Sequence, residues 1–162
     1  KVWDVATGRC EREFDAKALH KYDGVFMADI GGARGLTFRA DGSALAVCGI
    51  TSVSNAFAGV GNPAVAVFDW TGGAAKLLRP KDVFQGTAWG VAFHPSGAVV
   101  AAGGAGQGRV WFWKGDDPFS AHTLSVPTNC RDLALSPAGE RFAVAGANGT
   151  AYVCDFAGGA KK

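Results

Sequence analysis

The chain has 162 residues and a formal net charge of +2, with charged side chains at 19% and hydrophobic ones at 48%. That balance excludes intrinsic disorder and gives no electrostatic case for a nucleic-acid or anionic-membrane partner, and no apolar run approaches the length of a membrane span. The four cysteines, Cys10, Cys48, Cys130 and Cys154, form neither a Cys-x-x-Cys pair nor a zinc spacing, so they read as small buried apolar residues.

Glycine-rich turns between Val- and Ala-rich runs predict β-structure along the whole chain. Lys1–Val5 reads as a strand, Ala6-Thr7-Gly8 as a turn, and Arg9–Phe14 as a strand with a charged, exposed side. Asp15–Ala33 is a long connection that carries His20, Tyr22, Phe26 and Met27. Connections of this length are uncommon and often functional. Arg34–Phe38 and Ser43–Gly49 are strands joined through Asp41-Gly42. Ile50–Pro63 reads as a second inserted loop, with Asn55 and Phe57, before strands Val65–Asp69 and Ala75–Leu78. The next unit starts near Thr87, with strands Gly90–Phe93, Ala98–Gly103, Arg109–Trp113 and His122–Val126. The last has strands at Arg131–Leu135, Phe142–Val144 and Tyr152–Cys154, with Asn148-Gly149 as a hairpin turn. Residues 157–162 read as a flexible basic tail.

The same phrase recurs three times: GLTFRADGSALAVCG, GVAFHPSGAVVAAGG and LALSPAGERFAVAG. The third strands close at Asp4, Asp69, Lys114 and Asp155, so the last two intervals are 45 and 41 residues and the first, with its insertions, is 65. With Val2-Trp3-Asp4 and Val67-Phe68-Asp69, these phrases resemble the WD40 repeat family of β-propellers over essentially the whole chain. The resemblance implies an all-β, partial WD40-type propeller within residues 1–156. Two complete four-stranded blades (34–79 and 87–126) are expected, with a remnant at 1–14 and a partial blade at 131–156. Such an arc cannot close a ring. The chain opens in mid-repeat without Met, so it is expected to be a fragment that packs against the remaining blades of a larger propeller. The family's usual Gly-His before the first strand is missing, and literal Trp-Asp occurs only at Trp3-Asp4.

In this family the connections between blades share a face with those between second and third strands. Insertions 15–33 and 50–63 are of these two kinds. The resemblance therefore implies a non-catalytic scaffold that binds a protein or peptide through this face. The expected contacts are His20, Tyr22, Phe26, Asn55 and Phe57, with Trp89 and Gln107 from the neighbouring blade. No cofactor, metal or catalytic residue is expected. The alternatives are a channel-mouth ligand binder or propeller enzyme completed by other blades, and a regulatory or sensory module of a larger protein.

Three further patterns take structural readings. Gly103–Gly108 is followed by a strand and not by the helix a phosphate loop needs, so it reads as a hairpin. Alternation places Trp111 and Trp113 on one face of their strand and Phe112 on the other, as packing between blades, with Trp3 and Phe68 in similar positions. His20, His94 and His122 fall on different structural elements and predict no shared metal site.

Overall fold

Short apolar runs punctuated by glycine turns fold into small antiparallel sheets in a computed structural model that describes residues 1–55, 59–73 and 75–156. The strands are β1 (Val2–Trp3), β2 (Cys10–Arg12), β3 (His20–Asp23), β4 (Ala28–Gly31), β5 (Ala33–Phe38), β6 (Ala44–Asn55), β7 (Val60–Asp69), β8 (Ala75–Leu78), β9 (Thr87–Phe93), β10 (Val99–Gly104), β11 (Gly108–Trp113), β12 (His122–Val126), β13 (Cys130–Leu135), β14 (Arg141–Gly146) and β15 (Ala151–Asp155). They form four-stranded sheets β5-β6-β7-β8 and β9-β10-β11-β12, a three-stranded sheet β13-β14-β15, and the pairs β1-β2 and β3-β4. The two four-stranded sheets are complete blades of a partial propeller, β1-β2 and β13-β14-β15 are incomplete ones, and β3-β4 is a hairpin inserted between β1-β2 and the first complete blade.

Strand alternation explains why the central strands are apolar at nearly every position. In β6, Ala46 and Cys48 face the sheet of β9–β12, while Leu45 and Val47 face the opposite way, towards Leu19 and Phe14. In β10, Val99 and Ala101 join the first of these cores, while Val100 and Ala102 pack on the β13–β15 sheet. A sheet covered on both faces has no polar side to show. The three aromatics of β11 divide as alternation requires. Trp111 and Trp113 lie in the core shared with β5–β8, and Phe112 packs beside Phe142 towards β13–β15.

The turns have a shared chemistry. Asp4 accepts hydrogen bonds from the Thr7 backbone N–H and hydroxyl, and Asp69 from those of Thr71. These bonds, the side-chain hydroxyl first, hold both carboxyls below the usual range. An aspartate closing the third strand is thus the cap of the turn into the outer strand.

Four expectations from sequence are corrected. The connection 15–33 is not an open loop: a 3-10 turn at Lys17–Leu19 leads into the β3–β4 hairpin, and Leu19 is completely buried in the core beside Phe68. The insertion 50–63 is mostly strand, because β6 and β7 continue past the blade, pairing Ile50 with Pro63 and Thr51 with Asn62. Pro63 is tolerated because β8 pairs only with Val65–Phe68, leaving that side of β7 without a ladder to interrupt. Trp3 does not pack like Phe68: it lies in a two-stranded sheet and is 55% exposed, whereas Phe68 is buried. Cys10 is also exposed, on the short outer strand β2, whereas Cys48 and Cys130 are buried; all four thiols are free.

Candidate functional site

The β3–β4 hairpin is fixed by its own turn. The Asp23 carboxylate accepts from the backbone N–H groups of Val25 and Phe26 at 2.9 and 3.1 Å. Met27 adopts φ 51°, the left-handed region. The result is an apolar tip: Tyr22, Val25, Phe26 and Met27 are all largely exposed. His20 sits at the other end of β3, its Nε2 2.9 Å from Asp29 Oδ1 across the hairpin. Lys21 Nζ donates to the Val53 carbonyl at 3.0 Å and so ties the hairpin to the extended part of β6. Asn55 is at the far end of that extension, paired with Val60. Phe57 lies outside the described residues.

The extension in turn touches the next blade. Asn62 Nδ2 donates to the Phe84 carbonyl at 3.0 Å, and Gly86 N–H donates to the Gly61 carbonyl at 2.9 Å. The Arg109 guanidinium lies 5.2 Å from the centre of the Phe84 ring and also donates to Gly108 O and to Gln107 Oε1. A continuous run of contacts therefore leads from His20 and Lys21, through the β6–β7 extension, to Gln107 in the β10–β11 turn.

Trp89 belongs to a different tier, the innermost strand of its blade. There β9 carries a bulge: Gly90 pairs with Ala102 and Ala88 with Gly103, so Trp89 is the extra residue. The same irregularity occurs in β5, where Arg34 is extra between Ala33 and Gly35, and in β13, where Arg131 is extra between Cys130 and Asp132. A bulge bends the strand and re-aims one side chain. Here the three re-aimed side chains meet. The Arg34 and Arg131 guanidinium carbons lie 5.2 and 5.5 Å from the centre of a Trp89 ring. Both arginines are exposed and Trp89 is partly buried, with its indole N–H buried and without an acceptor among the described residues.

Sequence reasoning found Trp89 but missed Arg34 and Arg131. Aligning RGLTF, WGVAF and RDLAL would have put the three in one column. The other histidines have structural work. His94 bonds Ser96 Oγ at 2.7 Å and the Gly139 carbonyl at 3.0 Å, and it stacks on Phe156 at 3.9 Å, joining neighbouring blades. His122 tilts against Phe112. Among the described residues, no group of three or more His, Cys, Asp or Glu side chains is placed to hold a metal ion.

A family model described as WD domain, G-beta repeat, matches residues 78–114, from the end of β8 to just past β11. This chain carries a WD40 repeat. No curated protein matches the chain. The matched WD40 repeat includes Trp89 with its bulge, Gln107, and the Trp111-Phe112-Trp113 strand. WD40 repeats in general are non-catalytic scaffolds that bind protein partners.

Proposed function

We propose that this WD40-repeat chain is a non-catalytic scaffold that binds a protein or peptide on the face built by the β3–β4 hairpin, the β6–β7 extension and the β10–β11 turn. The observation that carries the reading is the hairpin tip. Tyr22, Val25, Phe26 and Met27 hold apolar surface in solvent on a hairpin anchored by buried Leu19 and the Lys21–Val53 bond. Exposed aromatic anchors on a rigid support are what interface hot spots require. His20, Asn55, Phe57, Trp89 and Gln107 complete the proposed contact set.

The test is site-specific photo-crosslinking in the full-length natural polypeptide, with benzoylphenylalanine at Tyr22 in one variant and at Ala138, in the β13–β14 turn, in another. The expected result is a discrete crosslinked protein from Tyr22 that the Ala138 probe does not give. The same adducts from both positions, or adducts only from Ala138, would remove the basis for this face.

A further inference from the structure

We propose that the Arg34–Trp89–Arg131 row is a carboxylate-recognition subsite, and that the partner segment it takes is an acidic stretch of polypeptide. The proposal rests on the scaffold reading and names the chemistry around Trp89, one of its contact residues.

Three strands place the same bulge at the same point, and the residues so displaced are two arginines about one tryptophan. A guanidinium on an indole face uses its π surface and leaves its N–H edge available. That edge matches a carboxylate with two parallel hydrogen bonds. Among the described residues, neither Arg34 nor Arg131 has a hydrogen-bond or ion-pair partner that would occupy it. On the hairpin and turn side, by contrast, Lys21 donates to the Val53 carbonyl and Arg109 to the Gly108 carbonyl and the Gln107 amide. Asp132, next to Arg131, accepts from the Leu133 N–H at 2.8 Å and lies against the β9 backbone, where a Cβ on Gly90 would come within 2.9 Å of its Oδ1. It does not pair with the arginines.

The spacing suits a peptide. With each guanidinium carbon about 5 Å from the indole ring, the two can be no more than about 11 Å apart, the reach of about three residues of extended chain at about 3.3 Å each. Stacking also restrains both arginines before a ligand arrives, which lowers the ordering cost of binding. A nucleic acid is the less favoured occupant, because strong backbone binding uses roughly six to ten phosphate contacts and this row has two free cations beside a carboxylate.

The probe is fluorescein-labelled hexaglutamate, titrated with the chain at 50 mM NaCl and followed by anisotropy. Hexaglutamine, hexalysine and hexathymidylate serve as comparisons. Binding of hexaglutamate alone is expected, weakening with salt. Arg34→Gln and Arg131→Gln should each weaken it at least about tenfold, as loss of a charge-assisted bidentate pair implies. Arg34→Lys should recover only part of the affinity. Circular dichroism checks the fold of each variant. The variant Arg34→Glu/Arg131→Glu should lose hexaglutamate and gain hexalysine, a gain that misfolding cannot produce.

No hexaglutamate binding, tighter binding of hexathymidylate, or binding that the arginine substitutions leave unchanged would overturn the proposal. Tyr22→Ser/Phe26→Ser should leave hexaglutamate binding intact. The two readings therefore fail separately: crosslinks from Tyr22 without hexaglutamate binding refute the subsite alone, and hexaglutamate binding without Tyr22 crosslinks refutes the hairpin surface alone.

Discussion

Trp3 and Trp113 occupy the same place in their units, each followed by the residue that closes the third strand, Asp4 or Lys114. Their surroundings differ: Trp113 is 2% exposed and Trp3 is 55% exposed. Complete burial of a tryptophan removes about 200 Å² from water, worth about 5 kcal/mol at about 25 cal/mol per Å². Discounting for a compact denatured state leaves about 3–5 kcal/mol for Trp113→Ala, the usual range for a buried tryptophan. Trp113 Nε1 also donates to the Arg79 carbonyl at 2.9 Å, but that carbonyl accepts a second bond from Ser120 N–H at 3.0 Å. Truncation leaves no orphaned acceptor, so the hydrogen bond adds only about 1 kcal/mol. Burial decides the magnitude. For Trp3→Ala, less than half the area is at stake, which caps the cost at about 2 kcal/mol. For a chain of this length these values translate to a fall in Tm of about 10–15 °C for Trp113→Ala and under about 6 °C for Trp3→Ala. Thermal unfolding followed by far-UV circular dichroism, with urea midpoints as a second measure, reads both. Equal losses for the two variants, or a shift below about 3 °C for Trp113→Ala, would refute the assignment of Trp113 to the inter-blade core.

Three other outcomes follow from the same packing. In the glycine run, a Cβ on Gly103 would stand 2.0 Å from Thr87 O and 2.8 Å from Ala88 Cα, both backbone atoms, whereas one on Gly106 meets nothing within 4 Å. Gly103→Ala should therefore lower the urea midpoint sharply, and Gly106→Ala should change stability by less than about 0.5 kcal/mol; the reverse order would contradict the hairpin geometry. Burial pushes the Cys48 thiol up to about 12 from 9.0, so the folded state favours the protonated form. That contribution is complete below pH 9 and is lost as pH rises towards 12, a span worth about 4 kcal/mol. The alkaline fall in stability should be shallower in Cys48→Ala than in the parent chain. With N-ethylmaleimide at pH 7.5, Cys10 should label quickly while Cys48 labels only through opening, at least about a thousandfold more slowly.

What was legible in the sequence was whatever a single strand or turn encodes. Strand Ala75–Leu78 and strand His122–Val126 could be read because polar turns bound them, and the division of Trp111, Phe112 and Trp113 followed from a period of two. The insertions were misread because their local chemistry is that of loops. Residues 50–63 include Ser, Asn, Gly and Pro, yet β6 and β7 support each other through pairs such as Thr51–Asn62, and cross-strand pairing overrides propensity. Leu19 looked like one apolar residue in a long connection; only the adjoining blade shows it as an anchor. Arg34 and Arg131 escaped notice because a bulge is a relation between two strands and their stacking on Trp89 is a relation among three blades.

That relation bears on what the row is for. Each exposed guanidinium–indole contact contributes only about 0.5–1 kcal/mol, little against the 3–5 kcal/mol held in one buried tryptophan such as Trp113. The Trp89 N–H has no acceptor among the described residues, so no hydrogen bond accounts for the indole either. Stability alone gives weak reason for two arginines to flank a tryptophan on three bulged strands. Recognition gives a stronger one, since the stack restrains two charge-bearing forks at a spacing that an extended acidic chain can span. The same small stacking energies make Arg34→Gln and Arg131→Gln suitable probes: each should cost under about 1 kcal/mol of stability, so a tenfold loss of peptide binding would report on the site and not on the fold.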